Sequence, residues 1–278
     1  MKRIIFTLIF VKFLFTPTMS NEPGDTKRTR LDRVDFIALY NKLWQEDSND
    51  IYNIREEPMI LLVGEEYSKF YSFDTHFLHD SILPRYPVEQ WKSVAFSGNR
   101  PATNVFYRIF KNKNENSLEF FQSVGIDPFK YTMPLNAFQW NILPDTKQMF
   151  GYSVQKATTS FAGRDWVAWF AAEIPISDGP YKFNGLPGLI VLLHDTRNHY
   201  RFALTSFTKS QGERYLQKTG TEVNYFHTTR KRMIEMSRRF VQDPFSFMPN
   251  ITPMGGVAQR QAVLDRMRRR NNLLELRY

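Results

Sequence analysis

The sequence predicts a mainly β protein: a single antiparallel sheet, curved into a sandwich or open barrel, with amphipathic helices near the C-terminus. Three observations lead there. Short apolar runs recur between turn-forming clusters along the chain. Residues 152–160 and 165–172 read as two strands joined by the turn Ala162-Gly163-Arg164. Prolines at 84, 87, 101, 128, 134 and 144 interrupt the middle of the chain too often for long helices. With 278 residues, 42% hydrophobic and 23% charged, the chain has ample material for one buried core.

Residues 1–20 carry a basic start (Lys2, Arg3), a short apolar stretch from Ile4 to Phe15 and a small-residue pattern ending at Ser20. That is the layout of a secretory signal peptide, and the stretch is about half the roughly 20 residues a membrane-spanning helix needs. An exported protein, periplasmic or extracellular, is the expectation. The chain has no Cys, which removes disulfides, thiolate metal sites, a Cys nucleophile and a lipid-anchored Cys.

Residues 21–227 form the expected β-rich domain. Val34–Leu43 is apolar without a decisive period, so strand and helix stay open. Pro58–Val63, then Gly64-Glu65-Glu66, then Tyr67–Phe73 reads as strand, turn, strand. Residues 74–147 are expected to be short strands and long loops, with KNKNEN at 111–116 as a hairpin tip. Tyr152–Ser160 and Asp165–Ala172 form a hairpin around Ala162-Gly163-Arg164. Trp166, Ala168 and Phe170 face one side of the second strand, Val167 and Trp169 the other, and both sides are apolar, as in a strand covered on both faces. Leu189–His194 and Tyr200–Phe207 make a second hairpin.

Residues 228–278 are a basic helical extension expected to pack on that domain. Met233, Met236 and Phe240 form an apolar stripe between arginines. The formal charge of +9 concentrates here. Eleven basic residues stand against four acidic ones, a net +7, which leaves residues 21–227 at −1 once the three cations of the leader are set aside. A nucleic-acid-binding body is therefore excluded. The expected partner is an unknown ligand or envelope protein, and Arg266, Arg268, Arg269 and Arg270 could also touch an anionic membrane surface.

The crossover between the hairpins, residues 173–190, is specified by backbone shape. Asp178-Gly179-Pro180 is a turn in which Gly179 is free to take a positive φ, and Leu186-Pro187-Gly188-Leu189 fits a type II turn. The run GPYKFNGLPGLIVLLHD, preceded by WVAWFAAEIPISD, resembles the GLPGLI family. The hexapeptide is intact as Gly185, Leu186, Pro187, Gly188, Leu189 and Ile190, with Gly179 and Pro180 just before it. GYSVQKATTSFAGRDWVAWF, SKFYS at 68–72 and the ending NNLLEL are also similar to that family. The resemblance implies an exported, β-rich protein of Bacteroidota type with no established reaction, cofactor or catalytic residue. Many members carry a Cys in the stretch matching 151–157, where this chain has Val154.

Candidate chemistry is sparse. Trp166, Trp169, Tyr181 and Phe183 are candidates to line a ligand cleft, with core filling as the competing role. Asp74, His76, His79 and Asp80 sit in DTHFLHD, and on a helical turn His76 and His79 would share a face and could bind a metal. His194 and Asp195 end a strand, and Ser160 and Ser177 are serines that could complete a triad, but neither lies in a G-x-S-x-G elbow. Glu173 and Asp178 are the candidate acid pair. No P-loop, dinucleotide fingerprint or H-E-x-x-H occurs, so no cofactor is expected. The leading expectation is a non-enzymatic binding protein; a His/Asp hydrolase or metalloenzyme and a structural accessory of an outer-membrane system are the alternatives.

Overall fold

A computed structural model of the chain describes residues 29–78, 90, 103–219, 222–247 and 256–277. The predicted leader lies outside them, as do His79 and Asp80. In chain order the strands are β1 (Thr29–Arg33), β2 (Phe36–Gln45), β3 (Ile54–Val63), β4 (Tyr67–Ser72), β5 (Arg108–Asn112), β6 (Ser117–Val124), β7 (Asp127–Pro134), β8 (Asn141–Met149), β9 (Tyr152–Phe161), β10 (Arg164–Ala171), β11 (Leu189–Asp195), β12 (Tyr200–Lys209), β13 (Tyr215–Lys218) and β14 (Phe226–His227). The helices are a single turn α1 (Phe73–His76), then α2 (Arg230–Gln242) and α3 (Gly256–Arg268).

Two meanders share one sheet. β2 to β7 run side by side in chain order, β8 to β12 do the same, and the β2–β12 pair joins the two sets. With β14 added parallel to β7, the described residues make a twelve-stranded sheet that curves without closing into a barrel. Short hairpins set the register. The β9–β10 loop is Ala162-Gly163 with φ of 56° and 80°, the type I′ geometry that matches strand twist. Phe150-Gly151 does the same between β8 and β9, with φ of 53° and 83°.

The alternation in β2 buries Ala38, Tyr40, Lys42 and Trp44 together on one side. Tyr40 and Phe202 both meet Phe70 edge-on at ring separations of 6.2 and 6.1 Å. The opposite side near β3 is covered by the β1–β13 pair, where Val34 and Leu216 pack on Ile60, Leu62 and Tyr71.

Three expectations change. Most of residues 127–149 lies in two strands of eight and nine residues rather than in long loops, because Pro128 and Pro134 sit near the ends of β7, and Pro144 lies at the register shift of the edge strand β8, where no ladder donor is needed. β10 is not covered on both faces: Val167 and Trp169 are only partly buried, and Lys147 Nζ lies 3.7 Å from the Trp169 ring centre. The 173–190 crossover is built from different turns. Gly188 N donates to Leu186 O at 2.8 Å, a three-residue turn around Pro187, and Leu189 N donates to Ile174 O instead of closing a type II turn. Gly179 does not adopt a positive φ. It is required because a Cβ there would lie 2.8 Å from Ile190 Cβ. The positive φ falls on Tyr181 (57°), a buried aromatic in a conformation that bulky side chains seldom take.

That strained backbone drives the crossover into the hollow of the sheet. Tyr181 reaches Tyr107 (5.2 Å between ring centres) and Phe120 (6.1 Å) on one arm, while Phe183 stacks near Trp166 (4.8 Å) and Phe161 (5.7 Å) on the other. Polar anchors fix it there. Lys111 donates to Asp178 Oδ1 at 2.5 Å and to the carbonyls of Gly179 and Phe183, and Ser68 donates to Asp178 Oδ2. The crossover is a wedge between two arms.

Candidate functional site

Trp166, Tyr181 and Phe183 come together in that wedge, and all three are buried, so they form the closed centre of the core. Trp169 projects from the other face of β10 and does not join them. The hexapeptide places Leu186, Leu189 and Ile190 in the same core, while Trp140 Nε1 holds Asn184 O at 2.8 Å.

Residues 271–277 complete this centre. Glu275 accepts from Lys182, Tyr181 and Arg230, and Lys182 also donates to Tyr131. Burial pushes the Glu275 carboxyl up, but Lys182 and Arg230 outweigh it and hold it below its ordinary value. Burial lowers Lys182 to about 8 against the attraction of Glu275. Arg164 holds Asp195 at 2.9 Å and donates to Asn272 Oδ1 and the carbonyls of Leu273 and Leu274. Leu276 N and Arg277 N donate to Ala162 O, the carbonyl of the strained hairpin turn.

Other candidate residues are similarly engaged. His76 is buried with Nδ1 2.5 Å from Tyr71 Oη, and no cluster of three metal-ligating side chains occurs among the described residues. Asp195 is spent on Arg164 and on Tyr200 N, and His194 Nδ1 lies against its neighbour's carbonyl. Ser160 donates to Asp165. Glu173 accepts from Ser153 N on one side of the wedge, apart from the buried Asp178. In the basic extension Arg230 and Arg238 bind C-terminal groups and Arg270 pairs with Glu46 at 3.2 Å, leaving Arg266, Arg268 and Arg269 on the exposed face.

The chemistry that is not engaged lies elsewhere. A cavity of about 230 Å³ opens between the sheet and the C-terminal helices, with Lys42 and Trp44 of β2, Tyr107, Tyr200, Phe240 of α2 and Arg270 among its walls. Lys42 is 5% exposed. Its Nζ lies 4.1 Å from the Trp44 ring centre, 5.3 Å from Tyr107 and 5.8 Å from Tyr200, and makes no hydrogen bond or ion pair with the described residues. The Tyr107 hydroxyl is buried and also unpartnered. Burial lowers the Lys42 amine from 10.5 to about 7, against the opposing pull of Glu57 and Glu46. Burial raises the Tyr107 phenol well above its ordinary value, with Tyr200 and Glu57 adding to the shift, so it remains a donor. Sequence reasoning missed this pair. The signal was a lysine at an inward position in the run Ala38-x-Tyr40-x-Lys42-x-Trp44, visible only once the segment is known to be a strand.

The amine has a stability signature. Its folded value lies below its unfolded one, so between about 7 and 10.5 the folded protein binds fewer protons and stability rises with pH. Below that window the amine is charged in both states and its burial cost is fully present. Lys42→Met should therefore stabilise ligand-free protein by roughly 2 kcal/mol near pH 6, with the gain shrinking toward pH 10. Urea unfolding across that range measures it; a gain independent of pH would contradict the assignment.

Comparison with known proteins bears on the wedge. No curated protein matches this chain by sequence. A solved structure of PNGF-II in space group P21 is similar in fold, with a TM-score of 0.51 at 14% identity over 73% of this chain and 33% of that one. The C2 form gives 0.49 at 14% identity, over 73% and 32%. The chain thus spans about a third of the length of the solved chains it matches, and at that identity the likeness concerns the β-rich fold alone. By sequence, residues 162–192, from the hairpin turn through the wedge into β11, match the family described as "Protein of unknown function (Porph_ging)".

Proposed function

We propose that this is an exported, non-enzymatic binding protein of the cell envelope, of the GLPGLI type, that holds a small molecule in the cavity between its sheet and its C-terminal helices. The observation that carries the binding reading is the nearly buried Lys42 amine, caged by rings and lacking an acceptor, beside the equally unpartnered Tyr107 hydroxyl. Unsatisfied buried polar groups are costly, and a ligand that supplies acceptors relieves the cost. The leader-like layout of residues 1–20 supports export, and the hexapeptide within the matched stretch supports the family.

Native mass spectrometry of protein isolated from its own cell envelope tests both parts. The expected species lacks residues 1–20 and carries a small organic adduct. Ser237→Trp, which fills the cavity from α2, should abolish the adduct while moving the melting temperature by no more than about 3 °C. A cytoplasmic species retaining Met1 would overturn export. An unliganded parent, or an adduct that survives Ser237→Trp, would overturn the cavity as the binding site.

A further inference from the structure

Resting on the binding reading above, we infer that the cavity takes a small carboxylate with an apolar or aromatic body, its anionic head held between the Lys42 ammonium and the Tyr107 hydroxyl. The two unspent groups buried at the cavity wall, the Lys42 amine and the Tyr107 hydroxyl, can both donate, while Gln122, Ser123 and Ser237 add neutral polar groups. The nearby carboxylates are already engaged: Glu57 accepts from Thr103 Oγ1 and from Asn104 N at 2.8 Å, and Glu46 pairs with Arg55 and Arg270, each at 3.2 Å. Tyr200 Oη donates to Asn272 O at 2.5 Å, so it offers the ligand a ring face rather than its proton. A neutral alcohol would leave the lysine's charge uncompensated in an apolar cage, whereas a carboxylate both neutralises it and accepts from Tyr107.

Two further features select the ligand. The remaining walls include Val105, Val124 and Phe240, which suit an apolar body. Arg238, Arg268 and Arg270 line an adjoining groove that shares Val241 and Leu273 with the cavity, so the approach is positively charged and steers anions inward. The volume, about 230 Å³, is that of roughly eight waters and fits an acid of about ten heavy atoms. The charged groups facing Lys42 are Glu57 of β3, Glu46 beyond β2, Arg270 of the C-terminal segment and Arg164, whose guanidinium stacks on Tyr200 at 4.8 Å. Only the two glutamates favour its charged form, and both are committed elsewhere.

Anion binding must then draw a proton onto Lys42. Isothermal titration of the ligand-free protein with phenylacetate, and with 2-phenylethanol as its neutral counterpart, tests this. At pH 8 phenylacetate should bind with uptake of close to one proton, read from buffers of different ionisation enthalpy, and its affinity should fall by roughly fifty- to a hundredfold between pH 6 and pH 9. Lys42→Met should weaken phenylacetate about tenfold at pH 6 and remove the pH dependence, and Tyr107→Phe should weaken it several-fold while keeping the pH dependence. Equal affinity for acid and alcohol would overturn the carboxylate assignment while leaving the cavity a binding site. Binding of neither, with the envelope-derived adduct also absent, would overturn both.

Discussion

Glu275→Leu should destabilise the protein by roughly 3–5 kcal/mol, because it strands two cations around a site that has lost its anion. Lys182 is wholly buried, and its other contacts are the Tyr131 hydroxyl and the rings of Phe120, Tyr131 and Tyr181, which cannot replace a carboxylate. Arg230 loses its partner on the same carboxylate. The effect has a direction in pH. The Glu275 carboxyl lies below its ordinary value of 4.5 in the folded protein, so its contribution is complete above that value and is lost as pH falls through the folded one. Parent and variant should differ least in acid. Adding Lys182→Met to Glu275→Leu should recover much of the loss, since it removes the wholly buried cation and leaves only Arg230, which is 22% exposed and still donates to Arg277 O. Urea unfolding at pH 7 decides the matter; a single-variant cost under about 1 kcal/mol would mean the wedge does not depend on this ion pair.

The second large effect belongs to Gly188. A Cβ there would lie 2.6 Å from the carbonyl carbon of Ala171 and 2.9 Å from Ala172 Cα. Both atoms are backbone at the end of β10, so no side-chain rotation relieves the clash. Gly188→Ala should cost at least about 3 kcal/mol and leave little soluble protein. Gly185 provides the control. It has a positive φ of 92°, but the nearest atoms to a Cβ are those of Trp140 at 3.8 Å, so Gly185→Ala should cost only about 1–2 kcal/mol. Thermal unfolding ranks the two, and an equal or reversed ranking would show that close packing against Ala171 is not what the hexapeptide provides.

The β9–β10 and β11–β12 hairpins were legible because short apolar runs flank the tight turns at Ala162-Gly163 and Asp195–Asn198. β7 and β8 were not, since proline counts against a strand until its edge position and register shift are known. The crossover was legible as rigid but not in its mechanics. Gly179 reads as a turn residue, and only the packed Ile190 reveals that it is needed for close approach. The aromatic candidates illustrate the same limit, because alternation separates Trp169 from Trp166 but gives no hint that Phe183 comes from outside the sheet to meet Trp166. The cavity was hidden for a longer-range reason. Lys42, Tyr107 and Arg270 are brought together by pairings between distant segments, and no local pattern marks them. The scattered stretches carrying the family resemblance do meet in space: Ser68 on Asp178, Ala162 and Arg164 on residues 272–277, and Glu275 on Lys182.

That convergence bears on the order in which the chain acquires its structure. The carboxylate that Lys182 requires lies 93 positions downstream, and the carbonyls that receive Arg164 lie 109 and 110 positions downstream. A polypeptide emerging from its N-terminus can build the first meander and form the β9–β10 hairpin, yet its centre holds an uncompensated ammonium until residue 275 arrives. The last cooperative step therefore waits on a few residues, and the chain stays short of a stable native state until residues 272–277 have been made.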